Sequence, residues 1–382
     1  MSEMRYPFLD LAKVNAPYED ALAEAAVRVV RSGRYIGGPE VEAFERELAD
    51  MTGVPYIIGV SNGLDALRLT LRAMVAQGRL REGDGVVVPA NTYIASVLAI
   101  SDAGLRPVLV NPDDRTMNLS AEGLERALSE NDGVRAVMPV HLYGRVAWDA
   151  DIREMCLRHR LAVLEDNAQA IGARSTADGL YGGRMTGALG DAGAFSFYPP
   201  KNTGALGDAG AVATHDPELA KIVRALANYG ADRRYHNIYT GFNCRMDPIQ
   251  AAMLRVKLPY TDKENADRFE RALAYERTIE RADVVKPLMS EAVTDCVWHQ
   301  YVIRVPADKR DAMRRALETA GAGTDIHYAV PPHMQPCYAR LAHGDLSLTE
   351  RMAAELISLP IATGTTVEDA SEIARIINAI EI

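Results

Sequence analysis

Lys201 is the residue whose type and setting best support covalent chemistry. It ends the segment GAFSFYPPK (193–201), in which an apolar run and two prolines precede a single lysine. The chain holds seven lysines against 35 arginines, and no lysine lies between Lys13 and Lys201. Lysine can lose its proton near neutral pH and form a Schiff base, whereas arginine can do neither. We therefore predict amine chemistry at Lys201 rather than the solvated loop charge that an arbitrary lysine would provide.

Amine chemistry at a lysine suggests pyridoxal 5′-phosphate (PLP), which needs an acid opposite its pyridine nitrogen. Asp166, in the segment LEDNAQ (164–169), lies where an apolar run ends. Side chains at the carboxyl ends of buried parallel strands commonly form the sites of such sheets. The ordinary alternative is an exposed acid at a strand end. We predict that Asp166 keeps the ring nitrogen protonated and so makes the ring an electron sink.

PLP also needs an anion site for its phosphate and a flat face against its ring. The segment GVSNGLDAL (59–67) indicates a strand end, a polar turn and a helix start, with Gly63 near the helix N-terminus. Free N–H groups and the helix dipole favour a phosphate at such a point. Ser196, five residues before Lys201, is a candidate hydroxyl contact. Tyr93 is a candidate to stack on the ring, although a single aromatic residue in such a place is more often part of the core.

The elements that must position these residues alternate between apolar runs and helical patterns. Uninterrupted apolar runs separated by helices are typical of a buried parallel sheet. The runs lie at 56–58, 86–88, 108–110, 134–140 and 161–164, with two more at 192–197 and 209–213 that have no helix between them. This last pair predicts a mixed, mostly parallel sheet. Helices are predicted over 18–32, from Pro39, and from Asp247–Pro248, where an acid precedes a first-turn proline.

The C-terminal third has a different character. A strand pattern at 300–305, a helix pattern at 307–320 and a proline-rich loop at 329–336 predict a small α+β unit. A length of 382 residues also fits two domains at ~150 residues each. We predict an α/β protein with a large domain over 1–255, followed by a long connecting helix and a small domain over 256–382.

Composition excludes several classes of protein. A net charge of −10 makes the chain a poor candidate for binding nucleic acid or anionic membranes over a broad face. It has no apolar run long enough for a transmembrane helix, and its start lacks the pattern of a secretory signal, so we expect a cytoplasmic protein. The cysteines form no CxxC pair and the histidines no HExxH motif, which predicts reduced thiols and no metal site.

NAD is the competing cofactor. No GxGxxG motif follows any predicted strand, and the Gly59–Gly63 spacing does not supply one. Tyr198 and Lys201 are separated by two residues, not by the three of a short-chain dehydrogenase pair. The sequence therefore favours PLP over NAD.

Several segments together resemble the nucleotide-sugar aminotransferases of the DegT/StrS group. They are VSNGLDAL, VPANTYIAS, LEDNAQA, FSFYPPKN and GFNCRMDPIQAA, and the resemblance extends from 34–45 to 326–336. It implies the aspartate-aminotransferase fold (PLP fold type I), PLP as cofactor, and a homodimer with active sites shared between subunits. This chain departs from the group's pattern in having Pro200 where glycine is common and GFNCRMDPIQ in place of GYNSRLDELQ.

The resemblance also implies roles by position. Lys201 matches the lysine that links covalently to PLP, and Asp166 matches the partner of the ring nitrogen. The other implied cofactor contacts are Gln169 beside the ring hydroxyl, Gly63, Leu64 and Ser196 at the phosphate, and Asn243, which reaches the phosphate of the other subunit. The implied substrate contacts are Arg245, for a substrate or donor carboxylate, and His327 and Tyr328, for the sugar nucleotide.

Within the group, the chain most resembles enzymes that aminate C-3 of dTDP-3-keto-6-deoxyhexoses. The implied reaction is a ping-pong transamination from L-glutamate to a keto-sugar nucleotide. Amination at C-4, or of a cyclitol ketone, stays open. A PLP-dependent sugar dehydratase is disfavoured because such relatives carry histidine in place of the lysine. A non-enzymatic PLP sensor is disfavoured because the sequence shows no attached effector module.

Overall fold

In the computed structural model, which describes residues 4–176, 182–289 and 294–382, a seven-stranded sheet organises the larger part of the chain. Its strands are β1 (Tyr56–Val60), β2 (Gly85–Pro89), β3 (Arg106–Val110), β4 (Val134–Val137), β5 (Ala162–Asp166), β6 (Ala192–Ser196) and β7 (Gly210–Thr214). Their order is β1-β7-β6-β5-β4-β2-β3. Neighbours are parallel from β3 through β6, whereas β7 is antiparallel to both β6 and β1. The mixed, mostly parallel sheet predicted from the two closely spaced runs is confirmed.

Helices alternate with the strands along the chain. They are α1 (Leu11–Asn15), α2 (Glu19–Ser32), α3 (Pro39–Thr52), α4 (Gly63–Ala76), α5 (Ile94–Asp102), α6 (Ala121–Glu130), α7 (Ala150–His159), α8 (Pro217–Ala227), α9 (Pro248–Lys257), α10 (Thr261–Thr278), α11 (Ala307–Thr319), α12 (Ser347–Glu355) and α13 (Val367–Ala379). Over the described ranges, no helix is both long enough and apolar enough to cross a membrane.

The central residues of β2 are all apolar because both faces of the sheet are covered. In β2, Val86, Val87 and Val88 are all fully buried. Val86 and Val88 belong to the hydrophobic cluster that α4 and α8 share, and Val87 points to the cluster on the opposite face, with α6 and α7. Successive side chains of a strand face opposite sides. A strand with helices on both sides therefore appears in the sequence as an unbroken apolar run.

A second, smaller sheet lies in the C-terminal third. Its antiparallel strands, β10 (Tyr301–Arg304) and β11 (Leu356–Leu359), follow an exposed two-stranded hairpin of β8 (Ala231–Arg233) and β9 (His236–Asn237). The sheet shares one hydrophobic cluster with α10, α11 and α13. The N-terminal Tyr6 belongs to the same cluster and pairs with Ala322. The small α+β unit is thus present, while the boundary between residues 255 and 256 stays a prediction.

The helix predicted to begin at Asp247–Pro248 does so, but it is shorter than its sequence pattern suggests. The α9 helix ends at Lys257, and a 3-10 turn over Leu258–Tyr260 joins it to α10. Pro259 lies in this turn and has no N–H for an α-helical hydrogen bond, which favours the break. Asp247 occupies the position before the helix without a side-chain capping bond.

Glu165, next to the predicted site residue Asp166, anchors the end of β5. It is completely buried and accepts hydrogen bonds from His141 Nε2 at 2.9 Å and from the backbone N–H groups of Gly187, Leu189 and Gly190 at 2.7–2.8 Å. Because His141 Nδ1 accepts from the N–H of Ala147, its Nε2 carries the proton given to Glu165. A buried carboxylate with this many donors ties the 187–190 segment to the sheet.

We expect Gly193→Ala to destabilise the protein, because a Cβ at this position in β6 would lie 2.3 Å from Gly187 Cα. The clash would separate the 187–190 segment from the sheet and lower the free energy of unfolding by ~1–3 kcal/mol. Gly123→Ala is the matched control, since its Cβ would meet Ser120 Oγ at an ordinary 3.4 Å and alanine favours the helix by ~0.5–1 kcal/mol. Urea unfolding at one protein concentration would compare them, and equal stability of the two variants would contradict the packing argument.

Candidate active site

A cavity of about 750 Å³ opens at the carboxyl ends of β5 and β6, between the large sheet and the small unit. The predicted site residues that line it are Gly63, Leu64, Tyr93, Asp166, Gln169, Ser196, Lys201, His327 and Tyr328. These residues are separated by up to 265 positions in the sequence, and the topology brings them to one edge of the sheet. The structure therefore assembles most of the predicted constellation around a single space.

Lys201 and Asp166 form the chemical centre of the cavity. Burial lowers the pKa of the Lys201 amine to about 8, and the neighbouring Asp166 carboxylate opposes that shift. An amine with this pKa is neutral in a sizeable minority of molecules near physiological pH, far more than an ordinary lysine, and nucleophilic attack and proton abstraction both require the neutral form. Lys201 thus has the property for which its residue type was singled out.

Asp166 is held in place by hydrogen bonds to both of its carboxyl oxygens. Ser96 Oγ donates to Oδ2 at 2.8 Å, and the backbone N–H of Ala168 donates to Oδ1 at 3.1 Å. Thr92 Oγ1 lies 2.7 Å from Ser96 Oγ and extends the chain of hydroxyl groups. Burial raises the pKa of Asp166, while these hydrogen bonds and the charge of Lys201 favour its ionised form.

The N-terminus of α4 forms an anion site at one end of the cavity. Asn62 caps the helix by accepting from the N–H of Asp65 at 2.8 Å, so the N–H groups of Gly63 and Leu64 lie in the first turn, where a helix provides no acceptors. Gly63 packs so closely on β6 that a Cβ would lie 2.7 Å from Ser196 Cβ. Glycine at 63 therefore allows the helix N-terminus and the Ser196 hydroxyl to converge.

These features fit PLP. The cavity has an amine for the covalent link at Lys201, a fixed acid at Asp166, and N–H and hydroxyl donors for a phosphate at Gly63, Leu64 and Ser196. The donors and the acid lie on different elements around the same space, as a ring with a phosphate at one end and a basic nitrogen at the other requires.

Gln169 connects the cavity floor to the small unit. Its Oε1 accepts from the N–H of Tyr143 at 2.6 Å, and its Nε2 donates to the Tyr328 hydroxyl at 2.9 Å. Tyr143 also donates through its own hydroxyl to the carbonyl of His327. Gln169 and Tyr143 thus hold His327 and Tyr328 over the cavity.

Tyr93 and Tyr328 face one another in the cavity, with ring centroids 5.1 Å apart. Tyr93 is 54% exposed, so its ring borders the open space rather than the core, contrary to the ordinary expectation for such an aromatic. His327 packs against Phe8, and its Nδ1 lies 2.8 Å from Ser358 Oγ. Burial lowers the pKa of His327.

Asn243 and Arg245 do not line the cavity of their own chain. Asn243 is exposed and pairs through its backbone with Asn228. Arg245 Nη1 donates to Asn228 Oδ1 at 2.9 Å, and its guanidinium lies over the ring of Tyr229. The roles predicted for these two residues at a shared site stay predictions.

Sequence reasoning missed several residues that border the cavity. Thr92 lines the cavity next to the predicted Tyr93. Ser96, in the first turn of α5, does not line it but contributes to the site through its hydrogen bond to Asp166. Arg268 on α10 and His299 before β10 also line the cavity. No local pattern marks them, because only the packing of α10 against the small unit brings them to the site.

Comparisons with known proteins agree with this geometry. The model of the DegT/DnrJ/EryC1/StrS aminotransferase family matches residues 18–379. The chain is 42% identical to dTDP-3-amino-3,6-dideoxy-alpha-D-galactopyranose transaminase of Aneurinibacillus thermoaerophilus, over 97% of this chain and 98% of that protein. It is also 42% identical to dTDP-3-amino-3,4,6-trideoxy-alpha-D-glucose transaminase of Streptomyces venezuelae, over 94% of this chain and 91% of the relative.

The fold is shared with solved structures as well. DesV of S. venezuelae, solved in complex with a ketimine intermediate, superimposes with a TM-score of 0.90 at 39% identity, covering 99% of this chain and all of that one. The predicted PLP fold is therefore confirmed, and the chain is an aminotransferase with PLP as its cofactor. The cavity that Lys201, Asp166 and the N-terminus of α4 line fits this chemistry, and the family match extends over nearly the whole chain. The protein therefore belongs to the DegT/DnrJ/EryC1/StrS aminotransferase family.

Proposed function

We propose that this aminotransferase converts a dTDP-3-keto-6-deoxyhexose to the 3-amino sugar, with L-glutamate as amino donor, in the cytoplasm. The observation that carries the proposal is the Lys201–Asp166 centre in a cavity with an anion site at one end. The two relatives at 42% identity are both named as dTDP-3-amino-sugar transaminases, although their sugars differ elsewhere on the ring. Their common feature supports amination at C-3 of a dTDP-linked sugar.

Each residue of the centre has a separate task in this reaction. When bound, PLP supplies an electron sink and carries the amino group between the two substrates. Lys201 Nζ takes the proton from the α-carbon of the donor and returns a proton to the sugar carbon in the second half of the cycle, which its lowered pKa permits. Asp166 would hold a proton on the pyridine nitrogen of the bound cofactor, and Ser96 and Ala168 fix the orientation of its carboxyl group.

We propose that the sugar nucleotide enters beside the small unit, where His327 and Tyr328 would contact it. Gln169 and Tyr143 hold these two residues, so the wall they form is already ordered in this structure. The cavity volume of about 750 Å³ leaves room for a sugar and part of its diphosphate, while the nucleoside would extend toward solvent.

A homodimer is part of the proposal. Asn243 is exposed and does not reach the cavity of its own chain, as expected if it serves the phosphate of a second copy. Nearby aromatic side chains are exposed in the single chain as well, Tyr235 at 87% and Tyr229 at 51%. Exposed aromatic residues in one region are typical of a surface that a partner covers.

We expect the purified protein to form a 3-amino sugar from dTDP-3-keto-6-deoxyhexose and L-glutamate. A panel that also contains a 4-keto sugar nucleotide and a cyclitol ketone would be assayed by mass spectrometry for the amino product and for 2-oxoglutarate. Exclusive conversion of the 4-keto sugar or the cyclitol would overturn the proposed substrate, and a deoxy sugar without an amino group would overturn the reaction type.

Lys201→Ala is expected to reduce the turnover rate about 10³-fold or more, because both the covalent link and the proton-transferring amine are lost. Borohydride reduction of the PLP-loaded wild type should leave cofactor mass on the peptide containing Lys201, and the variant should show none there. Lys221→Ala, an exposed lysine on α8, is the matched control and should retain both properties. Cofactor mass at another lysine in the wild type would refute the assignment.

The Lys201 amine should titrate near pH 8 in the PLP-free protein. Its folded pKa lies below the ordinary 10.5 because burial disfavours the charged form, so its reactivity should increase about tenfold per unit up to pH ~7 and level off above pH ~8. Competitive acylation followed by peptide mass spectrometry would measure this, with the urea-unfolded chain as reference near pH 10.5. Asp166→Asn should move the folded midpoint lower, because it removes the carboxylate that favours the ammonium form. A folded midpoint near 10.5 would exclude burial of the amine.

A further inference from the structure

Arg268 is a buried cation in the wall of the cavity that the mechanism above does not use. It lies in the middle of α10, is only 3% exposed and lines the same space as Lys201. A guanidinium removed from water is costly unless an anion or a set of acceptors surrounds it. The acceptors that the chain supplies are few, which makes the charge of Arg268 the unusual feature of this wall.

No acidic side chain in the described part of the protein forms an ion pair with Arg268. Its Nη1 donates to the carbonyls of Trp298 and His299 at 3.2 and 3.4 Å, both long for hydrogen bonds, and its buried Nε has no acceptor. Glu264, one turn earlier on α10, accepts instead from the hydroxyl groups of Tyr18 and Thr363. The guanidinium thus keeps donors available for an anion.

The position of Arg268 relative to Lys201 follows from a short series of contacts. Asn202, the residue after Lys201, has its Oδ1 3.1 Å from His299 Nδ1. Asn202 Nδ2 donates to Asn265 and Val297, so its Oδ1 accepts the proton of His299. The His299 carbonyl in turn accepts from Arg268. Arg268 is therefore connected, through His299, to the residue that follows Lys201, and both Arg268 and Lys201 line the cavity.

Arg268 also provides a fixed positive charge in this wall. Burial, together with the charges of Lys201 and Arg268, lowers the pKa of His299 well below its usual value, so that imidazole is neutral. Arginine keeps its charge even where burial disfavours it. Three acids line the cavity, Asp166, Asp208 and Asp325, and none of them forms an ion pair with Arg268; Asp325 lies instead 3.9 Å from His327.

We propose that Arg268 binds the α-carboxylate of the amino donor, an inference that rests on the proposed transamination from glutamate. In an α-amino acid the carboxylate is attached to the carbon whose proton Lys201 removes, so its binding group must lie close to that amine. A sugar diphosphate is separated from the C-3 carbon by more of the ring and its nucleoside must reach solvent, which does not fit a fully buried cation. A planar guanidinium with free donors matches a carboxylate well.

The half-reaction with the amino donor can be tested separately from the half-reaction with the keto sugar. 2-Oxoglutarate carries the same α-carboxylate but has no amino group, so it can be titrated into the PLP-loaded enzyme by calorimetry without turnover. We expect Arg268→Gln to weaken this binding about 10- to 100-fold, the range for loss of a charged hydrogen-bonding partner. Arg268→Lys, which keeps the charge but loses the planar pair of donors, should weaken it less.

Arg271→Gln is the matched control. Arg271 lies one turn later on the same helix, is also buried and donates to the carbonyl of Ile361, but does not line the cavity. It should bind 2-oxoglutarate like the wild type. Equal losses in the Arg268 and Arg271 variants, or unchanged binding in both Arg268 variants, would overturn the assignment, as would a loss confined to Arg245→Gln.

A second measurement distinguishes this inference from the proposed substrate. The enzyme loaded with the amine form of the cofactor should aminate the keto-sugar nucleotide in a single turnover with the same apparent affinity in the wild type and in Arg268→Lys. A parallel loss in that half-reaction would overturn the assignment of Arg268 to the donor. If the wild type binds 2-oxoglutarate but converts no keto sugar, the proposed substrate fails while the contrast between Arg268 and Arg271 still holds.

Discussion

The burial of Asp166 beside the Lys201 amine is the constraint around which the large domain is arranged. A buried carboxyl group at the carboxyl end of β5 loses most of its contact with water, and that loss must be offset by fixed donors. Ser96 and Ala168 supply those donors: Ser96 lies on α5, which the sheet topology brings to the end of β5, and Ala168 lies in the loop that directly follows β5. Burial also lowers the pKa of Lys201 to about 8, so the same feature of the fold shifts the pKa values of both Asp166 and Lys201.

The fold accommodates the burial of Asp166 because the carboxylate of the preceding residue, Glu165, has all the hydrogen-bond donors that a buried acid needs. Glu165 has four hydrogen-bond donors around a carboxylate that is 0% exposed. A buried acid with one donor missing would favour local opening at the end of β5. The close approach of Gly187 to Gly193 makes that donor set possible, so packing in the sheet supports the geometry of the site.

Local sequence patterns were sufficient to predict the strands and the site residues at their ends, because these features depend on residues close together in the sequence. Apolar runs revealed the strands because both faces are covered, and the residues at their carboxyl ends, Asp166 and Ser196, followed from that. The break between α9 and α10 was missed, although Pro259, which has no N–H for an α-helical hydrogen bond, marks its position. Arg268 and His299 had no signal at all, because their place at the cavity depends on how α10 packs against residues about 30 positions later.

Residue type and burial together, rather than either alone, distinguish the reactive lysine. Lys257 is also buried, and burial lowers its pKa to about 8 as well. Its Nζ, however, donates to Asn15 Oδ1 and to the carbonyl of Gly204, and it does not line the cavity. A perturbed amine whose hydrogens are bound by backbone and amide oxygens stabilises the loop before β7, whereas Lys201 faces open space beside an acid. Because lysine is scarce in the sequence, only a few lysines were candidates for the reactive amine. Access to the cavity then distinguishes the reactive Lys201 from Lys257, whose role is structural.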